Sequence, residues 1–263
     1  MHTGCVGRYA LAMRSALALL ALLLLTPQAG ADEAQRIEAA AVLAQQIDAA
    51  RAAHDKDALA AALPKVAPLH NALEDAQARK RLQAAVGDVL DGAALALSSR
   101  TAAADVLADL HDERAWLQLK RQWPAPDTES ATPVHVRVVV AAGKVAAPGS
   151  VDDLVDLLKR ARDPHLVETS LTALGAFGWA KNRVKVLDEL GSTIPWVEGS
   201  GAAGARGGKV SPETAALWRR LGPTLLVALN TLTGRNEPTL AAWSAPLKEH
   251  KRRLETLFTR ERE

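Results

Sequence analysis

The chain has 263 residues, with 32 basic side chains, 30 acidic side chains and one cysteine, Cys5. Two basic residues, Arg8 and Arg14, lie in the first 31 residues, so the rest of the chain carries equal numbers of basic and acidic side chains. This balance argues against nucleic acid or an acidic lipid surface as a partner, because such binding normally requires a clustered positive excess. A single cysteine cannot form a disulfide within the chain, so burial must stabilise the fold.

Residues 1–31 have the pattern of a secretory signal peptide. Arg14 precedes ten consecutive apolar residues from Ala16 to Leu25, and Ala29-Gly30-Ala31 supplies the small residues of a cleavage site. This run is shorter than the ~18 apolar residues that span a bilayer as a helix, and no later run is longer. We therefore expect export, to the periplasm or by secretion, with no transmembrane anchor in the mature chain.

Residues 32–124 are predicted to form an N-terminal helical region. Apolar residues recur at helical spacing around 32–54, 82–92 and 101–123, and prolines break the pattern between the first two stretches. These amphipathic helices need partners to cover their apolar faces. The region has no clear internal repeat, so it is either a set of divergent repeats or a separate helical cap.

The second half of the chain contains four predicted helix starts. Thr132-Pro133, Asp163-Pro164 and Ser211-Pro212 each place an N-cap oxygen before a proline suited to the first helical position. Ser150 and Asp153 have capping-box spacing, with aspartate in place of the usual glutamate. Helices are therefore expected to begin near residues 133, 151, 164 and 212.

The first of these helices has a competing interpretation. Valines alternate with other residues from Val134 to Val140, a pattern also typical of a strand. The run continues into alanines and lysine, which are poor strand residues, and the preceding N-cap and proline favour a helix. We predict a helix here.

The second half also repeats itself at an offset of 32 residues. Glycines and apolar residues share this register: Gly143 with Gly175, Val139 with Leu171, and Leu158 with Leu190. A period in the thirties is typical of stacked helical hairpins that bury their apolar faces on their neighbours. We therefore expect an all-α fold, with helical hairpins stacked as an α-solenoid over residues 132–263 and a Gly-rich insertion at residues 199–208.

Two groups of motifs carry a family resemblance. The segment from Asp163 to Val167, followed by Ala173–Gly178 and Val184–Leu190, resembles a HEAT-like repeat. The segment Leu229–Gly234, followed by Trp243 and a charged helix from Lys248 to Phe258, resembles the last repeat and closing segment of exported bacterial HEAT-like proteins. The resemblance covers about residues 133–258. It implies a scaffold without shared catalytic residues. The basic cluster Lys248, Lys251, Arg252 and Arg253 could suggest an anionic surface or a phosphate ligand, but interspersed glutamates and an apolar inner face favour a capping helix.

Gly199 to Gly204 match the G-x-G-x-x-G pattern of dinucleotide sites. Such a site needs a buried strand before the glycines and a helix directly after them, whereas Pro195 precedes them and Gly207, Gly208 and Pro212 follow. The segment from Ala203 to Lys209 lacks the first glycine and the hydroxyl of a P-loop. We interpret the stretch as a surface loop.

The chain offers other polar groups but no convincing catalytic or metal site. His111-Asp112-Glu113 and the pair His165 and Glu168 could supply ligands, but no further histidine follows at a zinc spacing. Asp152, Asp153 and Asp156 lie at a helix start, which the helix dipole favours without calcium. No G-x-S-x-G motif is present. We therefore predict no enzyme, no cofactor and no metal.

The leading hypothesis is a non-catalytic, protein-binding scaffold in an extracytoplasmic compartment, whose partner is another protein or a larger complex. The alternative is a small-ligand or anion-binding module, or an enzyme, that uses the loop from Gly199 to Lys209. The candidate binding residues are Trp179, Trp196, Arg206 and Lys209. Tryptophans at helix ends, Trp243 included, either anchor an interface or fill the core between repeats.

Overall fold

The computed structural model describes residues 33–110, 112–179, 181–197, 212–250 and 252–259, without the side chains of residues 179 and 212–215. Over these ranges the chain forms helices and turns and no strand, which confirms the all-α prediction and the helix at the alternating valines. The α-helices, in chain order, are α1 (Glu33–Ala52), α2 (Lys56–Ala62), α3 (Val66–Ala72), α4 (Ala76–Asp91), α5 (Leu97–Ala108), α6 (Ala115–Leu119), α7 (Pro133–Val145), α8 (Ser150–Arg160), α9 (Pro164–Gly175), α10 (Arg183–Val197), α11 (Pro212–Arg220), α12 (Gly222–Thr233) and α13 (Leu240–Glu249). Short 3₁₀ turns occupy Leu63–Lys65, Lys120–Gln122, Ala176–Trp179 and Leu254–Leu257. No helix in the described ranges has the length and apolar character needed to cross a membrane.

Two of the predicted N-caps are present as side-chain hydrogen bonds. Thr132 Oγ1 accepts a bond from the His135 backbone N–H at 3.2 Å, and His135 Nδ1 accepts one from the Thr132 N–H at 3.4 Å. Asp163 accepts a bond from the His165 N–H at 2.7 Å and so caps α9. These bonds satisfy amides that a helix start would leave unpaired.

The predicted capping box at Ser150 is wrong, although α8 begins there. Ser150 is the first helical residue and Gly149 precedes it without a side-chain cap. The Ser150 hydroxyl instead donates to the Ala147 carbonyl at 2.8 Å, since a tight turn brings that oxygen close. Asp153 forms an ion pair with Lys120 at 2.8 Å. The serine at the fourth start, Ser211, lies outside the described residues.

The buried side chains form two hydrophobic cores that meet at α7. The first core runs from Ala39 to Ala147 and the second from Val139 to Leu257. Helix α7 contributes to both, with Val138 in the first and Val139 in the second. The half-buried Trp123 packs against both cores as well. The two cores thus share one helix.

Six helices pack in succession across the molecule. Helix α1 lies against α4, α4 against α5, α5 against α7, α7 against α9, and α9 against α12. We refer to these six as the helix row. Helices α8 and α10 lie beside it, with α8 packed on α9 and α10 packed on α12.

The glycines paired in the sequence register lie where the helix row is tightest. A Cβ placed on Gly143 would lie 2.6 Å from Ala173 Cα, and one on Gly175 would lie 2.8 Å from Ala228 Cα. Both distances are too short for a side chain, so glycine allows α7 to approach α9, and α9 to approach α12, through backbone contact. Ala228 follows Ala173 by 55 residues and not 32, because the Gly-rich segment and α11 lie between α10 and α12.

The predicted charged helix from Lys248 to Phe258 is also wrong. Helix α13 ends at Glu249, and the chain then turns into the 3₁₀ segment Leu254–Leu257. This turn lets both Leu254 and Leu257 enter the second core. It also lets Thr259 reach α12, where its backbone N–H donates to the Thr233 carbonyl at 2.9 Å.

Candidate binding surface

The predicted binding residues fall into two groups. Arg206 and Lys209, together with the G-x-G-x-x-G stretch, lie outside the described residues. Trp179 ends a 3₁₀ turn, and its side chain is not described. Trp196, on the last turn of α10, is fully described.

Trp196 is half-buried and contacts a second tryptophan. Its ring meets Trp218 edge-on, with centroids 5.1 Å apart and an angle of 87° between the planes. Trp218 belongs to the second core and is buried. Since these residues lie before and after the Gly-rich segment, their contact holds the two flanks of that segment together. The sequence pattern did not reveal this pairing, because Trp218 stands in an ordinary helical register.

The other tryptophans that are described serve mainly as packing residues. Trp243, considered as a possible interface anchor, is 0% exposed, so it fills the core instead. Trp116 is buried and meets Trp123 edge-on at 4.8 Å. Edge-on pairs of this kind add to the stabilisation that burial supplies.

The polar groups considered as metal ligands are dispersed. His165 and Glu168 are both exposed, and Glu168 Oε1 accepts a 3.5 Å hydrogen bond from Thr224 Oγ1. Among the described residues, no group of three histidine, cysteine, aspartate or glutamate side chains could hold a metal ion. His111 lies outside those residues.

Asp112 has a neighbour that the sequence did not suggest. His70 is 1% exposed, and its Nε2 lies 4.0 Å from Asp112 Oδ2 without a hydrogen-bond partner. Burial lowers the pKa of His70, while the Asn71 side chain and the Asp112 charge act in the opposite direction. Burial and the nearby Arg100 also lower the pKa of His135. Such groups are candidates for acid-sensitive stability.

The aspartates at the start of α8 take part in a series of ion pairs. Lys120 contacts Asp153 at 2.8 Å, Lys185 contacts Asp152 at 2.6 Å, and Lys159 contacts Glu189 at 2.6 Å. Asp156 pairs with Arg160 within α8 at 3.1 Å. The pairs link α8 to the 3₁₀ turn before it and to α10 after it. Each of the three aspartates thus has a basic side chain that balances its charge.

A surface with few charges lies on the exposed side of α9 and α12. We call this the outer surface and define it by the exposed residues Glu168, Thr172, Ala176, Pro223, Val227 and Thr231. The bond between Thr224 and Glu168 joins the two helices along this side. Glu168 is its one charged member, and Val227 is 63% exposed. On α7, by contrast, the residue 32 positions before Ala176 is Lys144, whose ammonium group lies 3.9 Å from Asp109 Oδ1.

Comparison with known proteins gives no further guidance: no family model, no curated protein and no solved structure matches the chain.

Proposed function

We propose that the protein is a non-catalytic scaffold, exported from the cytoplasm, that binds another protein through the outer surface. The observation that carries this proposal is the repeated close contact between helices of the row. Gly143 meets Ala173 and Gly175 meets Ala228 in the same way, so the α7–α9 and α9–α12 contacts have equivalent geometry. A chain built from equivalent contacts of this kind supports an α-solenoid of helical hairpins, in which each hairpin contacts its neighbours.

The ion pairs beside the row support the same architecture. They join successive helices at sequence separations close to the 32-residue register, as in Asp152 with Lys185 and Lys159 with Glu189. Because both partners of each pair are already engaged, this side of the molecule presents balanced charge. It is less suited to a protein interface than the outer surface, since the centres of interfaces are depleted of charged residues.

The outer surface has the composition that such an interface needs. Threonine, alanine, proline and valine side chains are short, so little conformational entropy is lost when a partner orders them. Val227 exposes most of its side chain to solvent on the helix at the end of the row. A partner protein that covers α9 and α12 would bury this apolar group together with the threonine methyl groups.

The test is affinity capture from the extracytoplasmic fraction of the native host, with a C-terminal tag on the whole chain. We expect a stoichiometric partner that is lost when Val227→Lys introduces a charge into the outer surface. The matched control is Leu117→Lys on α6, since Leu117 is 64% exposed and lies outside the outer surface. N-terminal sequencing of the captured chain tests export, and Asp32 is the expected first residue.

A third variant separates this proposal from the ligand-binding alternative. Residues 199–208 are replaced by a short flexible linker, which the contact between Trp196 and Trp218 allows because it holds the flanks together. Retention of the partner by this variant supports the outer surface. Loss of the partner with the loop, and not with Val227→Lys, would contradict the proposal. A thermal shift with nucleotides or phosphorylated metabolites would then be the next experiment.

A further inference from the structure

The end of the helix row has a feature that neither the repeat register nor the outer surface explains. In α9, Ala173 contacts Gly143 of α7, and Gly175, two residues later, contacts the next helix of the row. In α12, Ala228 contacts Gly175 in the same way as Ala173 contacts Gly143. The position in α12 equivalent to Gly175 is therefore two residues after Ala228, at residue 230. That residue is Asn230. Where α7 and α9 have a glycine that admits the next helix, α12 has a side chain.

Asn230 uses its side chain to fix the segment that follows α12. Its Nδ2 donates to the Glu237 carbonyl at 3.0 Å, and its Oδ1 accepts from the Glu237 N–H at 3.1 Å. The same Oδ1 accepts from Trp243 Nε1 at 3.1 Å. One amide group thus satisfies the turn after α12 and the indole of a fully buried tryptophan. Buried polar groups that are satisfied in this way specify a single arrangement.

The rest of the segment completes the closure. Gly234, with φ of 74°, adopts the left-handed conformation that ends α12 and turns the chain back. Leu254 and Leu257 enter the second core, and Thr259 bonds to the Thr233 carbonyl at the end of α12. Residues 234–250 and 252–259 therefore fold back over the C-terminal end of α12 and pack on α10 as well, while Pro223 and Val227 nearer the start of α12 stay exposed.

We propose that Asn230 is a stop residue: it locks the segment Gly234–Thr259 over the end of the row and so prevents a second copy of the chain from stacking on α12. This goes beyond the scaffold function and does not depend on which partner binds the outer surface. Exposed ends of repeat arrays associate unless a cap covers them. Here the Asn230 side chain stabilises the segment that covers the end of α12, and this segment excludes a helix from a second copy.

The test is Asn230→Gly, which restores the glycine of the register and removes three hydrogen bonds. We expect faster amide exchange over residues 234–243 and a mass that rises at least twofold with protein concentration in light scattering or sedimentation. The matched control is Asn71→Gly on α3, outside the helix row, which removes two side-chain bonds, to the Asp109 carbonyl and to His70 Nδ1, at an exposed position. It should retain the concentration dependence of the parent chain.

A milder variant covers the case in which Asn230→Gly does not fold. Trp243→Phe keeps a six-membered aromatic ring in the core and removes the pyrrole part of the indole, with the Nε1–H that bonds to Asn230. We expect the same change in exchange and a smaller rise in mass. Self-association of either variant, with native helix content, supports the stop role. If the folded variants keep the parent's mass at all concentrations although residues 234–243 exchange faster, the proposal is wrong.

Discussion

At glycines of the second core helix backbones meet directly, whereas glycines of the first core meet side chains, and long polar side chains there reach the backbone of neighbouring elements. Glu33 accepts bonds from the Glu74 and Asp75 amides, and the guanidinium of Arg100 donates to the Leu90 carbonyl at 2.9 Å. In the second core the close contacts are those of Gly143 and Gly175 with alanine backbone. Side-chain links allow helices of unequal length and orientation, while backbone contact requires the same spacing each time. The backbone contacts lie in the half of the chain for which the sequence predicts a 32-residue repeat.

The largest expected difference between the two cores is in the change of unfolding free energy when a glycine is replaced by alanine. Gly143→Ala and Gly175→Ala would place Cβ against backbone that cannot move aside, so each should cost about 1–3 kcal/mol of unfolding free energy. Gly87→Ala in α4 meets only the flexible side chain of Gln118. Because alanine favours a helix over glycine by about 1 kcal/mol, this variant should be neutral or more stable. Urea unfolding followed by circular dichroism measures all three, and equal losses would contradict the comparison.

A smaller difference is expected between two N-caps, Asp163 of α9 and Asp75 of α4. Asp163 is 6% exposed and accepts bonds from two amides, those of His165 and Ala131, so it joins the helix to the segment before α7. Asp163→Ala should cost about 1–3 kcal/mol, because the partly buried Ala131 amide loses its partner and the helix loses its cap. Asp75→Ala, which removes a cap that binds only Ala78, should cost about 1 kcal/mol. Equal stability of the two variants in urea would show that Asp163 acts only as a cap.

The smallest expected effect depends on pH and arises in the first core. Burial lowers the pKa of His70 below its usual 6.5, so below that pH the unfolded chain binds a proton that the folded chain resists. Stability should therefore fall as the pH decreases from about 6.5, and it should be unaffected by this group at higher pH. His70→Asn should reduce the loss between pH 7.5 and 5.0 in urea unfolding. Part of the loss should remain, because the pKa of His135 is also lowered.

Local exchange measurements would sharpen that comparison. The acid effect of His70 should appear first as faster amide exchange in α3 and in the 109–112 segment, where Asn71 donates to the Asp109 carbonyl. Helix α12, in the second core, should change only when the whole chain unfolds. Faster exchange in α12 at the same pH as in α3 would show that the two cores respond to acid together.

The sequence predicted features that depend on neighbouring residues and missed those that depend on tertiary contact. Helix starts at residues 133, 164 and 212 follow from an N-cap and a proline, and they are confirmed. Ser150 failed as a cap because a turn offered its hydroxyl a nearer acceptor, the Ala147 carbonyl. The prediction of a helix from Lys248 to Phe258 was wrong because burial of Leu254 and Leu257 in the second core outweighs the helix propensity of this segment. Of the candidate binding residues, only Trp196 has a described environment, and its partner Trp218 is distant in sequence.

Helix α7 makes the two cores cooperative. Val138 and Val139 are adjacent in the chain and lie in different cores, so the helix cannot leave one core without opening the other. Each half, expressed by itself, would therefore lack one wall of its core. We therefore expect thermal unfolding of the whole chain to be a single transition, since both cores depend on the two faces of α7.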